Sequence, residues 1–129
     1  MAVTIDEAEF DDIWERWLAV RNVRGLKTHG VLAIFLYPAF LALDWVLYRE
    51  FIEPLLYLRM IVVLSALAVL AVTRTRWADR FHNLLAGGFT VVCAFDILAM
   101  LPVIGGAHVP YYAGISLVLL GTGLLYQFT

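Results

Sequence analysis

The sequence predicts an all-α, polytopic membrane protein: four transmembrane helices preceded by an amphipathic interfacial helix, with the N-terminus and C-terminus both cytoplasmic. Three observations lead there. Four long apolar runs, at 30–47, 55–72, 84–101 and 110–128, are each set off by charged or turn-forming residues. Each is close to the ~20 residues a helix needs to cross the ~30 Å hydrocarbon core of a bilayer. The 129-residue chain is 63% hydrophobic and 16% charged, where a soluble domain is roughly a quarter charged, so the surplus apolar surface needs lipid as its solvent. Finally, the basic residues fall unevenly among the loops, which sets orientation.

The first segment, residues 1–28, reads as the interfacial helix. Thr4 and Glu7 have the spacing of a capping box, in which each side chain satisfies a free amide at the helix start. Asp6, Glu7, Glu9, Asp11 and Asp12 favour the positive end of the helix dipole. Phe10, Ile13, Trp14, Trp17 and Leu18 recur at intervals of three and four, which gives one apolar face. Arg16, Arg21, Arg24 and Lys27 follow toward the membrane, where bases meet anionic headgroups. The same pattern suits a helix packed on a partner subunit or on a cytoplasmic domain.

Residues 29–129 form the transmembrane domain, with helices at about 30–48, 55–72, 81–101 and 110–128. Pro38 removes a backbone donor within the first and predicts a kink. Arg49, Glu50, Glu53 and Pro54 make the first loop; Arg74, Arg76, Asp79 and Arg80 make the second, with Trp77 at interface depth. Pro102, Gly105 and Gly106 end the third helix, and Pro110 opens the fourth, where its missing N–H is harmless. Gly87, Gly88, Gly114, Gly121 and Gly123 predict close helix packing.

Four bases precede the first span (Arg16, Arg21, Arg24, Lys27) and three lie between the second and third (Arg74, Arg76, Arg80). The opposite side has Arg49 alone. The N-terminus is therefore expected in the cytoplasm and, after four crossings, so is the C-terminus. The chain stops at Gln127, Phe128 and Thr129 without a basic anchor, and the expectation is that it is the front part of a longer protein. The net charge of −2 argues against nucleic acid as a partner. Cys93 is the only cysteine, so no disulfide framework exists within one chain, and it reads as a small packing residue. There is no phosphate loop, nucleophile elbow, zinc-ligand spacing, or kinase or cyclase signature. These residues alone therefore do not predict an enzyme, and they call for no cofactor or metal.

Three ionisable residues interrupt the apolar runs: Asp44, Arg59 and Asp96. A charge at mid-bilayer costs about 2.5–3.5 kcal/mol on insertion scales, so each should face a partner or water. All three fall at similar depth in the outer half. Helices 1 and 2 are joined by a short loop and should be antiparallel neighbours, so an Asp44–Arg59 ion pair is expected, with Asp96 a second partner for the arginine. One arginine shared by two carboxylates would leave one acid able to respond to protons or a ligand, in a pocket walled or rimmed by Tyr111, Tyr112, Ser116 and His108. The rival reading is structural: the pair pins two helices and the tyrosines form an interfacial aromatic belt. His29 and His82 lie near the cytoplasmic ends of their helices, without metal-ligand spacing, and the inner halves of the helices read as almost purely apolar.

Two stretches carry a family resemblance. Leu43, Asp44, Trp45, Val46, Leu47, Tyr48, Arg49 and Glu50, in that order, resemble a hydrophobic-Asp-Tyr-hydrophobic-Val-Tyr-Pro-Glu segment, and Leu58-Arg59 opens the second helix in the same style. Pro110, Tyr111, Tyr112, Ala113 and Gly114, continuing through Ser116 to Gly121, resemble a Pro-Tyr-Tyr-Ala-Gly-Leu-Asn-Leu-Val-Leu-Leu-Gly segment. Both occur in the multi-pass N-terminal sensor or anchor region of bacterial signalling proteins, ahead of histidine kinase, class III nucleotide cyclase or diguanylate cyclase domains. Arg49 stands where the pattern has Pro, and Ser116 where it has Asn. Such regions usually have six helices. The resemblance implies a sensory input or anchor module in a bacterial inner membrane, a homodimer, a cytoplasmic effector in cis and, as stimulus, a small lipophilic ligand or a membrane state. It marks Asp44, Arg59, Tyr111 and Tyr112 as sensing or structural positions. The alternative is a small transporter or ion-conducting subunit that uses Asp96 and Arg59 as a relay; a third reading is a passive anchor.

Overall fold

A computed structural model describes residues 6–105 and 112–126, apart from the side chains of 112–117 and 119. The described residues are helical throughout their regular structure: α1 (Glu7–Leu47), a 3-10 turn (Arg49–Phe51), α2 (Ile52–Val72), α3 (Trp77–Val103) and α4 (Tyr112–Leu125). Three of these stretches are long and apolar enough to cross a membrane: α1, the turn with α2, and α3.

The first difference from the sequence expectation is at the start. The interfacial helix and the first span are one continuous helix of 41 residues, about 60 Å long at ~1.5 Å per residue. Nothing in residues 19–29 breaks a helix: there is no proline, and the one glycine, Gly25, is held by packing. Asp6 takes the N-cap position, so the helix starts later than the proposed capping box implies; Thr4 lies outside the described residues. The helix also runs through Pro38. Proline is tolerated at Pro54 because it sits in the first turn of α2, where its N–H would have no helical partner.

α1 and α2 are antiparallel: Asp44 meets Arg59 near their shared turn, and Gly30 faces Leu70 at the far end. α3 runs beside both, and α4 packs on α1 and α3. The bundle therefore has a turn end, at Arg49–Phe51, and a loop end, at 73–76. Phe81 has non-helical dihedrals (φ −114°, ψ 23°) and offsets the first turn of α3. Ile104 caps α3 by donating to the Met100 carbonyl, and Gly105 follows with φ 107°, a conformation open to glycine because it lacks a Cβ.

The distribution of side chains is the reverse of a soluble protein's. Phe35, Val46, Leu84, Phe95 and Leu124 are among many large apolar residues on the outside, each 68–78% exposed. Asn22, Asp44, Arg59, His82 and Asp96 are buried inside. An apolar exterior suits lipid, in which polar groups must find partners within the protein. The central core is Leu26, Ala33, Tyr37, Val62, Ala66, Ala86, Phe89, Cys93 and Tyr126. The small residues Ala33, Ala66 and Ala86 let α1, α2 and α3 approach closely. Gly87, Gly88, Gly121 and Gly123 do not serve that purpose: a Cβ on any of them would meet nothing within 4 Å. The close approaches are at Gly25, where a Cβ would run into the Leu125 carbonyl oxygen, and at Gly30, 3.0 Å from Leu70 Cγ.

Candidate functional site

The charged residues converge two turns below the turn end. Arg59 lies seven positions into α2 and Asp96 seven from the end of α3, about 10 Å deep at ~1.5 Å per residue. A helical Cβ leans toward the helix N-terminus, so Arg59 reaches back up α2 toward Asp44. Arg59 Nε donates to Asp44 Oδ2 at 3.1 Å. On its other side, Nη1 stands 3.7 Å from Asp96 Oδ2. The three side chains are 4% exposed or less.

α1 supplies more than the carboxylate. Tyr37 and Phe40 present their rings to the guanidinium, with centroids 5.2 and 5.4 Å from Arg59 Cζ. With Asp44 they occupy positions i, i+3 and i+7, one face of the helix. Cation–π contact of a desolvated arginine contributes about 2 kcal/mol. Above the cluster Leu55, Met100 and Ile104, packed with Tyr48, Leu58 and Val103, form an apolar layer between it and the turn end.

The charges do not balance. Two carboxylates face one guanidinium. Asp44 Oδ1 and both oxygens of Asp96 are buried without a hydrogen-bond donor among the described residues.

A second polar group, of which the sequence singled out only His29 and His82, lies toward the loop end. The Asn22 amide donates to His82 Nδ1 and Asn83 Oδ1, each at 3.0 Å. His29 Nδ1 and the Tyr126 hydroxyl are 2.8 Å apart, and the His29 ring meets Phe89 edge-on. The Thr90 and Thr122 hydroxyls are 3.2 Å apart, and each is within hydrogen-bond reach of a carbonyl of its own helix, so at least one of the two gives its single hydrogen either to its partner or to that carbonyl. The loop-end half is therefore not purely apolar, contrary to the sequence reading. Asn22 and His29 are seven apart on α1, as are Asn83 and Thr90 on α3; that heptad spacing was the available signal.

Of the expected site residues, Asp44, Arg59 and Asp96 come together. Tyr111 and His108 lie outside the described residues, and the side chains of Tyr112 and Ser116 do too. Cys93 is buried in the central core. The described residues hold no group of three His, Cys, Asp or Glu placed for a metal ion.

Comparison with known protein families, characterised proteins and solved structures gives no match.

Proposed function

We infer that this chain is a membrane-embedded sensory input module of a bacterial signal-transduction protein, passing a periplasmic or intramembrane stimulus to a cytoplasmic kinase or cyclase domain. The observation that carries the reading is the buried Asp44–Arg59–Asp96 cluster, in which one cation is shared by two anions on two different helices. Sharing of this kind offers two arrangements: Arg59 held between α1 and α3, or committed to Asp44 alone. A stimulus that favours one arrangement shifts helix packing, provided the two differ by only a few kcal/mol. Continuous α1 joins the cluster to the helix's N-terminal end without a break and supplies a route for the shift. The distribution of bases supports a cytoplasmic N-terminus, the fourth apolar run supports a fourth crossing, and the sequence resemblance supports an inner-membrane location. The sequence resemblance supports a homodimer with its effector in cis.

A second reading, a small transporter or ion-conducting subunit, is favoured by the polar groups of the loop-end half. Asn22, His82, His29, Tyr126, Thr90 and Thr122 lie below the charged cluster, on three helices.

The deciding experiment compares the output of the full-length protein with its native helices, with Asp96→Asn, and with the helices exchanged for unrelated spans. An input module loses stimulus dependence in both altered forms. Unchanged regulation after the exchange would leave only a passive anchor. Proton or ion flux into liposomes that is lost in Asp96→Asn would favour the transporter.

A further inference from the structure

We propose that the Asp44–Arg59–Asp96 cluster binds one monovalent cation, a proton or an alkali ion, on the carboxylate of Asp96. The proposal rests on reading this cluster as the input element, and it names the chemistry of the stimulus.

The charge count comes first. With Asp44, Asp96 and Arg59 all ionised, the cluster carries one uncompensated negative charge inside the bundle. A buried charge without a full partner is strongly unfavourable, because neither water nor protein replaces its lost hydration. The two acids are not equivalent. Asp44 accepts a hydrogen bond from Arg59 at 3.1 Å. Asp96 has only the longer approach, 3.7 Å, and neither of its oxygens accepts a hydrogen bond among the described residues. The missing positive charge therefore belongs on Asp96.

Among the described residues the surroundings supply no substitute. On α1, Asp44 adds negative charge, and Tyr37 presents its ring to Arg59. On α2, Arg59 is already divided between the two acids. On α3, the titratable neighbour is Cys93, one turn away and buried. On α4, the described side chains (118 and 120–126) carry no charge. A proton needs only one lone pair of Asp96. An alkali ion needs several oxygens, of which Asp96 Oδ1, Asp96 Oδ2 and Asp44 Oδ1 have no donor. Either would release Arg59 from Asp96 and leave it to Asp44, loosening α3 from the α1–α2 pair.

The test uses the whole chain in lipid nanodiscs, titrated with acid and, separately, with sodium chloride against choline chloride at constant ionic strength. Infrared difference spectra and the thermal midpoint are read for the unaltered chain, Asp96→Asn and Asp44→Asn. Proton binding gives, on acidification, a high-frequency C=O band of a buried protonated carboxyl beside the bands of the exposed acids, independent of sodium and missing from Asp96→Asn. Alkali-ion binding gives a carboxylate-band shift and a higher midpoint with sodium but not choline, again lost in Asp96→Asn. Either result supports the site and identifies its occupant. If Asp96→Asn fails to fold, the unaltered chain and Asp44→Asn still decide: a response that persists in Asp44→Asn supports Asp96. A response lost in Asp44→Asn but kept in Asp96→Asn would overturn the assignment, as would spectra with no buried-carboxyl band on acidification and no carboxylate shift with sodium. Cation binding with unregulated output would defeat the input reading but leave the site standing. Regulated output without cation binding would do the reverse.

Discussion

At the scale of the residue, Arg59 matters most to the interior. Truncation to Arg59→Leu leaves Asp44 and Asp96 facing each other without a cation, and breaking a buried pair in this way costs about 3–5 kcal/mol. Asp96→Asn removes the uncompensated charge and keeps the shape, so its loss is expected to be far smaller. Unfolding of the two variants in mixed micelles, with a double-mutant cycle, measures the difference. Gly25→Ala should cost about 1–3 kcal/mol, the usual penalty of overpacking, because its methyl meets the Leu125 carbonyl oxygen. Gly87→Ala meets nothing and should be neutral or stabilising by up to about 1 kcal/mol, the helix preference of alanine over glycine. The charged trio was legible in the sequence because charges in apolar runs are conspicuous and a short loop forces neighbours. Asn22 was not: it stands between Arg21 and Arg24, in a stretch that reads as solvated. The glycines misled for a related reason. Their presence permits close packing, but only a neighbour's position shows whether it is used.

At the scale of the element, α1 differs most from what the sequence led one to expect. A charged amphipathic segment followed by an apolar one suggests two helices with different settings, yet no residue between them ends a helix. Residues 18–30 are instead drawn onto the bundle: Leu18, Asn22, Gly25, Leu26 and Gly30 are buried, and the chain before them continues straight. That leaves Phe10, Ile13, Trp14 and Trp17 43–55% exposed, with Trp14 stacked on Trp17. Spin labels at Glu9 and Val31 test the geometry. A continuous helix places them about 33 Å apart at ~1.5 Å per residue. A markedly shorter distance would mean that the first turns fold back along the membrane surface. α3 runs past Pro102 to Val103 and ends just before Gly105, within two residues of the sequence expectation; the loop after Val72 is shorter than expected, because α3 starts at Trp77 and takes in Asp79 and Arg80.

At the scale of the whole molecule, the bundle has two polar levels joined by an apolar centre, and its first and last described helices meet at Gly25–Leu125 and His29–Tyr126. Asn22→Leu removes the donor to His82 and Asn83 and should cost about 1–3 kcal/mol, the usual loss when buried polar groups forfeit a partner. It should also loosen the loop end without disturbing Arg59, and hydrogen exchange resolved by helix checks both. Single cysteines placed in a Cys93→Ala background should put Lys27 and Thr75 on one side of the membrane and Glu50 on the other, as read by an impermeant thiol reagent. The Asp44–Arg59 contact also bears on biosynthesis. The two residues are 15 positions apart and lie on consecutive helices, which leave the ribosome one after the other. They can enter the bilayer as a neutralised hairpin, with neither charge exposed to lipid alone. Asp96 arrives later, on α3, and finds the Arg59 guanidinium already engaged. The order of synthesis thus parallels the order of engagement: Asp44 accepts the hydrogen bond from Arg59, and Asp96 has the longer approach.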